Sequence, residues 1–332
     1  MSVPIVHHQR RPGVSQISIE RLFEAIRSEL DESFEVTVAT SRQASRGLWP
    51  RLRNLLQAAR QRGEIHHVVG DVHYLVFGLP RMRTVLTIHD CAALERLSGW
   101  RRALLKYFWF SGPIRRAAVV TTISQTTKDE LHKWVGALAD KVVVIPNCVR
   151  AEFTPHPKEF NAAAPRVLQV GTGWNKNLLR VAEALQGTPC ELAIVGLVSP
   201  SQRAALDATG VPFRELGRLS DEDLVAAYRA ADLVVFASLY EGFGLPILEA
   251  HATGRPVITS NRSSMPEAAG TGALLVDPES VAAIHAALQQ VVGSAKLRDE
   301  LVANGFANVA RFRPRAIAAS YATVYHQMLN PS

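Results

Sequence analysis

Short apolar runs alternate with longer amphipathic stretches along the whole chain. In the first half VPIVHH (3–8), FEVTVATS (34–41), IHHVVGDVHYLVFG (65–78), RTVLTIHD (83–90), AAVVTTIS (117–124) and KVVVIPN (141–147) read as strands. In the second half RVLQVGTG (166–173), ELAIVG (191–196), PFRELG (212–217), DLVVFAS (232–238), PVITS (256–260) and ALLVD (273–277) do so. Several are continuously apolar rather than alternating, as parallel strands covered on both faces are. SIERLFEAIRSEL (18–30), DEDLVAAYRAA (221–231) and SVAAIHAALQQVV (280–292) fall between them with helical spacing. The alternation occurs twice, which predicts two doubly wound α/β domains with parallel sheets. CVRAEFTPHPKEFNAAAP (148–165) is rich in proline and alanine and reads as a linker between them. In such sheets ligands bind beyond the carboxyl ends of the strands, and every motif below follows a strand.

Composition narrows the class. The 332 residues are 47% hydrophobic and 20% charged, enough to bury two cores. No apolar run approaches the ~18 residues of a spanning helix, and the N-terminal MSVPIVHHQRR lacks a signal-peptide core. Cys91, Cys148 and Cys190 are far apart and without metal or redox-pair spacing, so a reduced cytoplasm is the expected home. Residues 1–160 carry 23 Lys/Arg against 15 Asp/Glu, and the remainder 14 against 15. A basic first half suggests an anionic partner, a membrane surface or nucleic acid, unless it is a solvated arginine-rich face. WRRALLKYFWFSGPIRR (100–116) interleaves aromatic and basic residues, as an interfacial anchor would and as a buried helix with basic ends would.

Two motifs carry chemistry. VGTGWNKN (170–177) begins like a dinucleotide fingerprint at Gly171, but position 176 is Lys176 where the third glycine belongs, which argues against a nicotinamide site. What remains is a turn, a lysine, and a helix starting near Asn175 to Asn177, all favourable to phosphate oxygens. EGFGLPILEA (241–250) places Glu241 in a loop and Glu249 one turn into a helix opened by Pro246, with Gly242 and Gly244 permitting close ligand approach. Eight helical steps rise only ~12 Å, so the two carboxylates suit two parts of one elongated ligand. Asp221-Glu222-Asp223 contains a metal-type Asp-x-Asp, yet it follows Ser220 and opens a helix, where it complements the dipole.

Residues 165–330 resemble the donor-binding domain of glycosyltransferase family 4, the retaining enzymes of GT-B fold. The resemblance rests on VGTGWNKN, on LGRLSDEDLVAAYRAADLVVFASLYEGFGLPILEAHATGRPVITSNRSSMPEAAG with its Pro266-Glu267, and on GALLVDP. The first half resembles the acceptor domain through TIHDC (87–91), TTISQTTKDEL (121–131) and VIPNCV (144–149), and HQRRPGVSQISIERLFEAI is similar to a bacterial surface-polysaccharide branch. The resemblance implies two Rossmann-like domains, 1–155 and 165–312, facing each other across a cleft, with a terminal helix (313–332) returning to the first. It implies Glu249 on the donor ribose, Glu241 near the transferred sugar, Lys176 on the pyrophosphate, and His89 facing the sugar. Gly171, Thr172, Asn177, Gly217, Leu219, Gly242, Phe243, Gly244 and Leu245 would complete the donor site, with Ser263 and Ser264 near the sugar and phosphate. Gly13 and Ser15 would belong to a loop over the phosphates or the acceptor. Thr172 stands where many relatives have an arginine, so a substitute such as Arg262 is expected to help Lys176.

The implied activity is transfer of a sugar, GDP-mannose being the favoured donor, to a growing surface glycan, free or lipid-linked. No metal or other cofactor is expected, and no nucleic acid, with the protein cytoplasmic and peripheral to the inner membrane. A nucleotide-sugar epimerase, a phosphorylase or a non-catalytic binding module on the same fold are the alternatives.

Overall fold

A computed structural model describes residues 2–11, 18–95 and 97–330; Gly13 and Ser15 lie outside them. The chain forms two compact units, Met1–Cys148 with Pro314–Ser332, and Val149–Arg313.

The first unit is a six-stranded parallel sheet of β1 (Val3–Gln9), β2 (Phe34–Thr40), β3 (Ile65–Val68), β4 (Thr84–Ile88), β5 (Val119–Thr122) and β6 (Val142–Val144), in the order β2-β1-β3-β4-β5-β6. β3 and β4 are buried at every position, as continuous apolar runs require when helices cover both faces. The long apolar stretch 65–78 does not continue as strand. It leaves the sheet after Val68, and His73–Gly78 winds into a 3₁₀ helix. A Cβ on Gly78 would stand 3.0 Å from the Leu55 side chain, so this turn packs directly on the helix Leu48–Ala59. Residues 100–116 are helical with both expected characters: Trp100, Leu104, Tyr107 and Phe108 are exposed, whereas Phe110 to Ile114 are buried.

The terminal helix Pro314–Leu329 completes this unit's core through two tyrosines. Tyr325 Oη lies 3.1 Å from His7 Nε2 and 2.7 Å from His67 Nδ1, and His67 Nε2 lies 2.7 Å from Thr87 Oγ1. Burial, aided by His89 and His8, pushes His67 down to about 3; burial and His66 push His8 to about 3. The folded state therefore binds fewer protons than the unfolded chain. The stability these residues confer is complete above pH 6.5 and is lost as pH falls toward 3. The melting temperature, followed by circular dichroism, should drop steadily across that window and drop less in His67→Asn. A pH-independent melt would contradict this.

The second unit has β7 (Arg166–Val170), β8 (Glu191–Val195), β9 (Phe213–Gly217), β10 (Leu233–Phe236), β11 (Val257–Ser260) and β12 (Ala273–Val276), in the order β12-β11-β10-β7-β8-β9. Its core joins Val167, Leu192, Ile194, Leu233, Val235 and Ile258 to the helices on the sheet. Ser199, Ser220, Ser280 and Ser294 each cap a helix by accepting the third backbone N–H, which fixes where those helices begin. The linker-like stretch 150–165 is held along this unit instead of hanging free. Arg255 Nη2 donates to His156 O at 2.6 Å, Lys158 pairs with Asp232, and Phe153 meets Tyr228 edge-on.

Candidate active site

β7 and β10 are neighbours, but the chain proceeds from β7 to β8 on one side and from β10 to β11 on the other. This is the switch point of the second sheet, where the loops leaving the two carboxyl ends diverge and open a crevice. The loop after β7 carries Gly171 to Asn177 and that after β10 carries Ser238 to Gly244.

The two loops meet through Lys176 and Glu241, the lysine Nζ donating to the carboxylate Oε1 at 2.7 Å. Lys176 also lies over the Phe236 ring, 4.7 Å from its centroid. Asn175 ties the same loops, its Nδ2 donating to Tyr240 O at 2.9 Å and to Glu241 Oε1 at 3.1 Å. The Glu241 backbone is fixed from a third loop, because Ser263 and Ser264 hydroxyls donate to its carbonyl at 2.7 and 2.9 Å. The serines thus act through Glu241, a role that sequence reasoning had not given them.

Gly171 explains how the lysine lies where it does. Its φ is +93°, and a Cβ there would stand 2.9 Å from Lys176 Cε. Gly171→Ala should therefore cost roughly 1–3 kcal/mol of stability from the backbone conformation. It should also lower transfer disproportionately by displacing Lys176; a variant destabilised but fully active once folded would contradict this. Gly244 is similarly left-handed at φ +111° and opens the helix Leu245–Thr253, with Pro246 in its first turn.

Glu249 lies in that helix and is buried. Tyr228 Oη donates to its Oε2 at 2.7 Å, and Arg150 Nη2 stands 3.6 Å from Oε1. Arg150 Nη1 reaches Asp221 Oδ1 at 2.6 Å. Desolvation raises the Glu249 pKa, while Arg150, the Tyr228 hydrogen bond and Lys176 oppose the rise. Burial also pushes Tyr228 far up, so its hydroxyl remains a donor. The expected Asp-x-Asp is engaged here: Ser220 caps through the Asp223 N–H, and Asp221 takes the arginine.

Other sequence expectations fare differently. Arg262, expected to help Lys176, is turned to Asp277 at 3.0 Å and Glu279 at 2.6 Å. The Asn177 carboxamide is consumed by Ala237 O, Pro278 O and Arg180, which makes it a holder of the loop. The Thr172 hydroxyl donates to Leu197 O at 2.7 Å, and Phe243 packs its ring edge-on against Phe312. Gly217, left-handed at φ +66°, accepts the Gly196 N–H on its carbonyl at 2.8 Å, and Leu219 lines a 240 Å³ depression with Leu216 and Asp223. Gly242 and Leu245 are half-buried beside Glu241 and the helix start. His89 belongs to the first unit, buried at the end of β4, with Nε2 2.9 Å from Val69 O. Since a carbonyl only accepts, Nε2 carries a proton.

Arg150 and Tyr228 were missed by sequence reasoning. No spacing signalled them: Arg150 lies 99 positions before Glu249 in an apparent linker, and Tyr228 reads as a core residue of a helix.

Comparison with known proteins places these features. The family description Glycosyltransferase Family 4 matches residues 19–153, and Glycosyl transferases group 1 matches 156–307. The chain belongs to glycosyltransferase family 4. O-antigen chain mannosyltransferase B of Escherichia coli is 30% identical over 253 residues, covering 69% of this chain and 66% of that protein. Serotype-specific mannosyltransferase WbdA of Escherichia coli is 27% identical over 261 residues, covering 69% of this chain and 32% of the relative. The chain therefore spans just under two thirds of the former's length and about a third of the latter's. Among solved structures, sucrose-phosphate synthase from Thermosynechococcus elongatus superposes with a TM-score of 0.80 at 19% identity, over 99% of this chain and all of the other. The family member thus has the GT-B pair of Rossmann-like units.

Proposed function

We propose that this family member is a retaining, metal-independent glycosyltransferase of cell-surface polysaccharide assembly. It takes mannose from GDP-mannose and adds it to a growing, lipid-linked glycan from the cytoplasmic side. The observation that carries the donor half of this reading is the Lys176–Glu241 pair at the switch point of the second sheet. The choice of mannose and of a surface glycan is supported by relatives named for O-antigen mannosyl transfer.

The site assigns work to each group. A donor diphosphate draws Lys176 from Glu241, which frees that carboxylate for hydroxyls of the sugar. Glu249, aimed by Tyr228, accepts the hydroxyls of the ribose. As the bond from the anomeric carbon to phosphate oxygen breaks, its electron pair passes to the diphosphate. Lys176 then meets more negative charge than in the ground state, and such differential stabilisation speeds the step. The acceptor hydroxyl oxygen forms the new bond to the anomeric carbon, and its proton passes to the departing diphosphate.

Thermal shift of the purified protein against GDP, UDP, dTDP and CMP, with and without EDTA, tests the reading. A ligand at 100 times its Kd stabilises by about 2.7 kcal/mol. An EDTA-insensitive shift with GDP above the others is expected. No shift with any nucleotide would overturn the function, and a shift only with UDP would overturn the donor.

A further inference from the structure

The helix Leu48–Ala59 exposes the wrong residues for a helix that only covers a sheet. Leu48 is 83% exposed and Trp49 75%, and Leu52 and Leu56 are each about half exposed. At about 100° per residue these four fall within one arc of ~100°. Asn54 and Ala58 face the core from another side of the same helix. One helix therefore has a buried face and, beside it, an unburied apolar one.

The apolar face is extended by a neighbour in the same unit. The Arg51 guanidinium lies 4.5 Å from the Trp109 ring centroid, and Tyr74 packs at a tilt against Trp109 while its hydroxyl bonds Asn54 of this helix and Ser45 just before it. The segment carrying Trp109 also exposes Trp100, Leu104, Tyr107 and Phe108. Residues Lys106–Ser111 form a π-helical turn, an irregularity that recurs at functional sites. A Cβ on Gly112 would stand 2.7 Å from Phe77 Cζ and 2.8 Å from Tyr107 O, so close packing of this glycine pins the turn that presents Tyr107 and Phe108.

Charge identifies the partner. Residues 36–63 contain six arginines and no acidic residue, and residues 97–127 contain five Lys/Arg and no acidic residue. Against the apolar arc runs a groove of about 360 Å³ lined by Arg42, Arg53, Arg60, Gln57 and Leu56. Among the described residues no carboxylate pairs with any of these three arginines. A phosphate-sized basic groove beside exposed tryptophan and leucine matches a phospholipid: headgroup on the arginines, ring and aliphatic groups at the acyl boundary. A protein partner would satisfy the apolar arc without needing the groove, and a nucleic acid would satisfy the arginines without needing Leu48, Leu52 and Leu56. No helix among the described residues is long and apolar enough to cross a membrane, so contact would be at one surface.

We propose that the exposed face of Leu48–Ala59, continued by Trp100–Phe108, docks this protein on an anionic bilayer, with Arg42, Arg53 and Arg60 holding a lipid phosphate. The surface belongs to the first unit and the donor site to the second, and its test does not depend on sugar transfer.

The whole chain would be floated with vesicles of phosphatidylcholine, alone or with roughly one third phosphatidylglycerol. Each arginine at such a surface is worth about fivefold in binding. Anionic vesicles should bind at least an order of magnitude more tightly than neutral ones, and Arg53→Gln with Arg60→Gln should reduce that on the order of tenfold to thirtyfold. Trp49→Ser with Leu52→Ser should reduce it about tenfold or more, by removal of the inserted groups. All four positions are exposed, and unchanged melting temperatures would verify folding. No binding to anionic vesicles, or equal binding to both kinds, would overturn the proposal. So would loss with the arginine variant alone, the behaviour of a general polyanion site such as one for nucleic acid. A dimer in light scattering that disappears with Trp49→Ser and Leu52→Ser would assign the face to a second copy and overturn it too.

Discussion

Lys176→Ala is expected to slow sugar transfer about 100- to 1,000-fold, equivalent to ~2.7–4 kcal/mol of transition-state stabilisation. The lysine is the cation that joins the two switch-point loops, and it is less than a quarter exposed. Its ammonium is held at the crevice by Glu241 at 2.7 Å and the Phe236 face at 4.7 Å, so an incoming diphosphate has only to draw it off the carboxylate. A group that acts on developing charge should show its loss mainly in kcat, with a smaller change in donor KM. Lys176→Arg keeps the charge but not the compact ammonium, and crowding against Gly171 should limit its recovery to a fraction of wild type. Steady-state kinetics on a defined acceptor would measure this. Activity within a few-fold of wild type in Lys176→Ala would remove the lysine from the mechanism.

Glu249→Ala should weaken nucleotide binding by about 1.5–3 kcal/mol, the scale of hydrogen bonds to a charged group. The carboxylate is buried, with Tyr228 on one oxygen and Arg150 near the other, so its geometry is set before the ligand enters. Burial raises its pKa, while a ribose diol donating two hydrogen bonds needs the ionised form. Nucleotide affinity should accordingly fall as pH drops through that raised pKa, and the dependence should vanish in Glu249→Gln. Tyr228→Phe, which frees one carboxylate oxygen without removing the charge, should weaken binding less than Glu249→Ala. Isothermal calorimetry across a pH series reads all three. Unchanged affinity in Glu249→Ala would exclude the ribose role.

Both predictions begin in residues legible from the chain alone. Lys176 replaces the third glycine of a dinucleotide pattern, and Glu241 and Glu249 bracket two glycines and a helix-opening proline. These are local signals: a turn, a helix start and a loop glycine depend on a few consecutive residues. Several of the twelve strands among the described residues were legible for a similarly local reason, since a buried parallel strand is a continuous apolar run, whereas the edge strands β2 and β9 are largely unburied. The strand reading of 65–78 ran furthest past its end, because apolar residues also suit a buried 3₁₀ turn, which here packs on Leu55.

What the sequence by itself determined was therefore the α/β class and the repetition of the sheet, and it singled out the lysine and the two glutamates as candidates. Only the tertiary structure decided that Arg150 stands beside Glu249, that Arg262 is engaged by Asp277 and Glu279, that Tyr228 aims Glu249, and that Ser263 and Ser264 clamp Glu241. It also decided that Leu48, Trp49, Leu52 and Leu56 lie outside the core. Each of these depends on groups far apart in the chain. A hydrogen bond between residues 21 positions apart, or an ion pair between residues 99 apart, leaves no periodicity to read, and a leucine carries the same signal whether its helix turns it inward or to the surface.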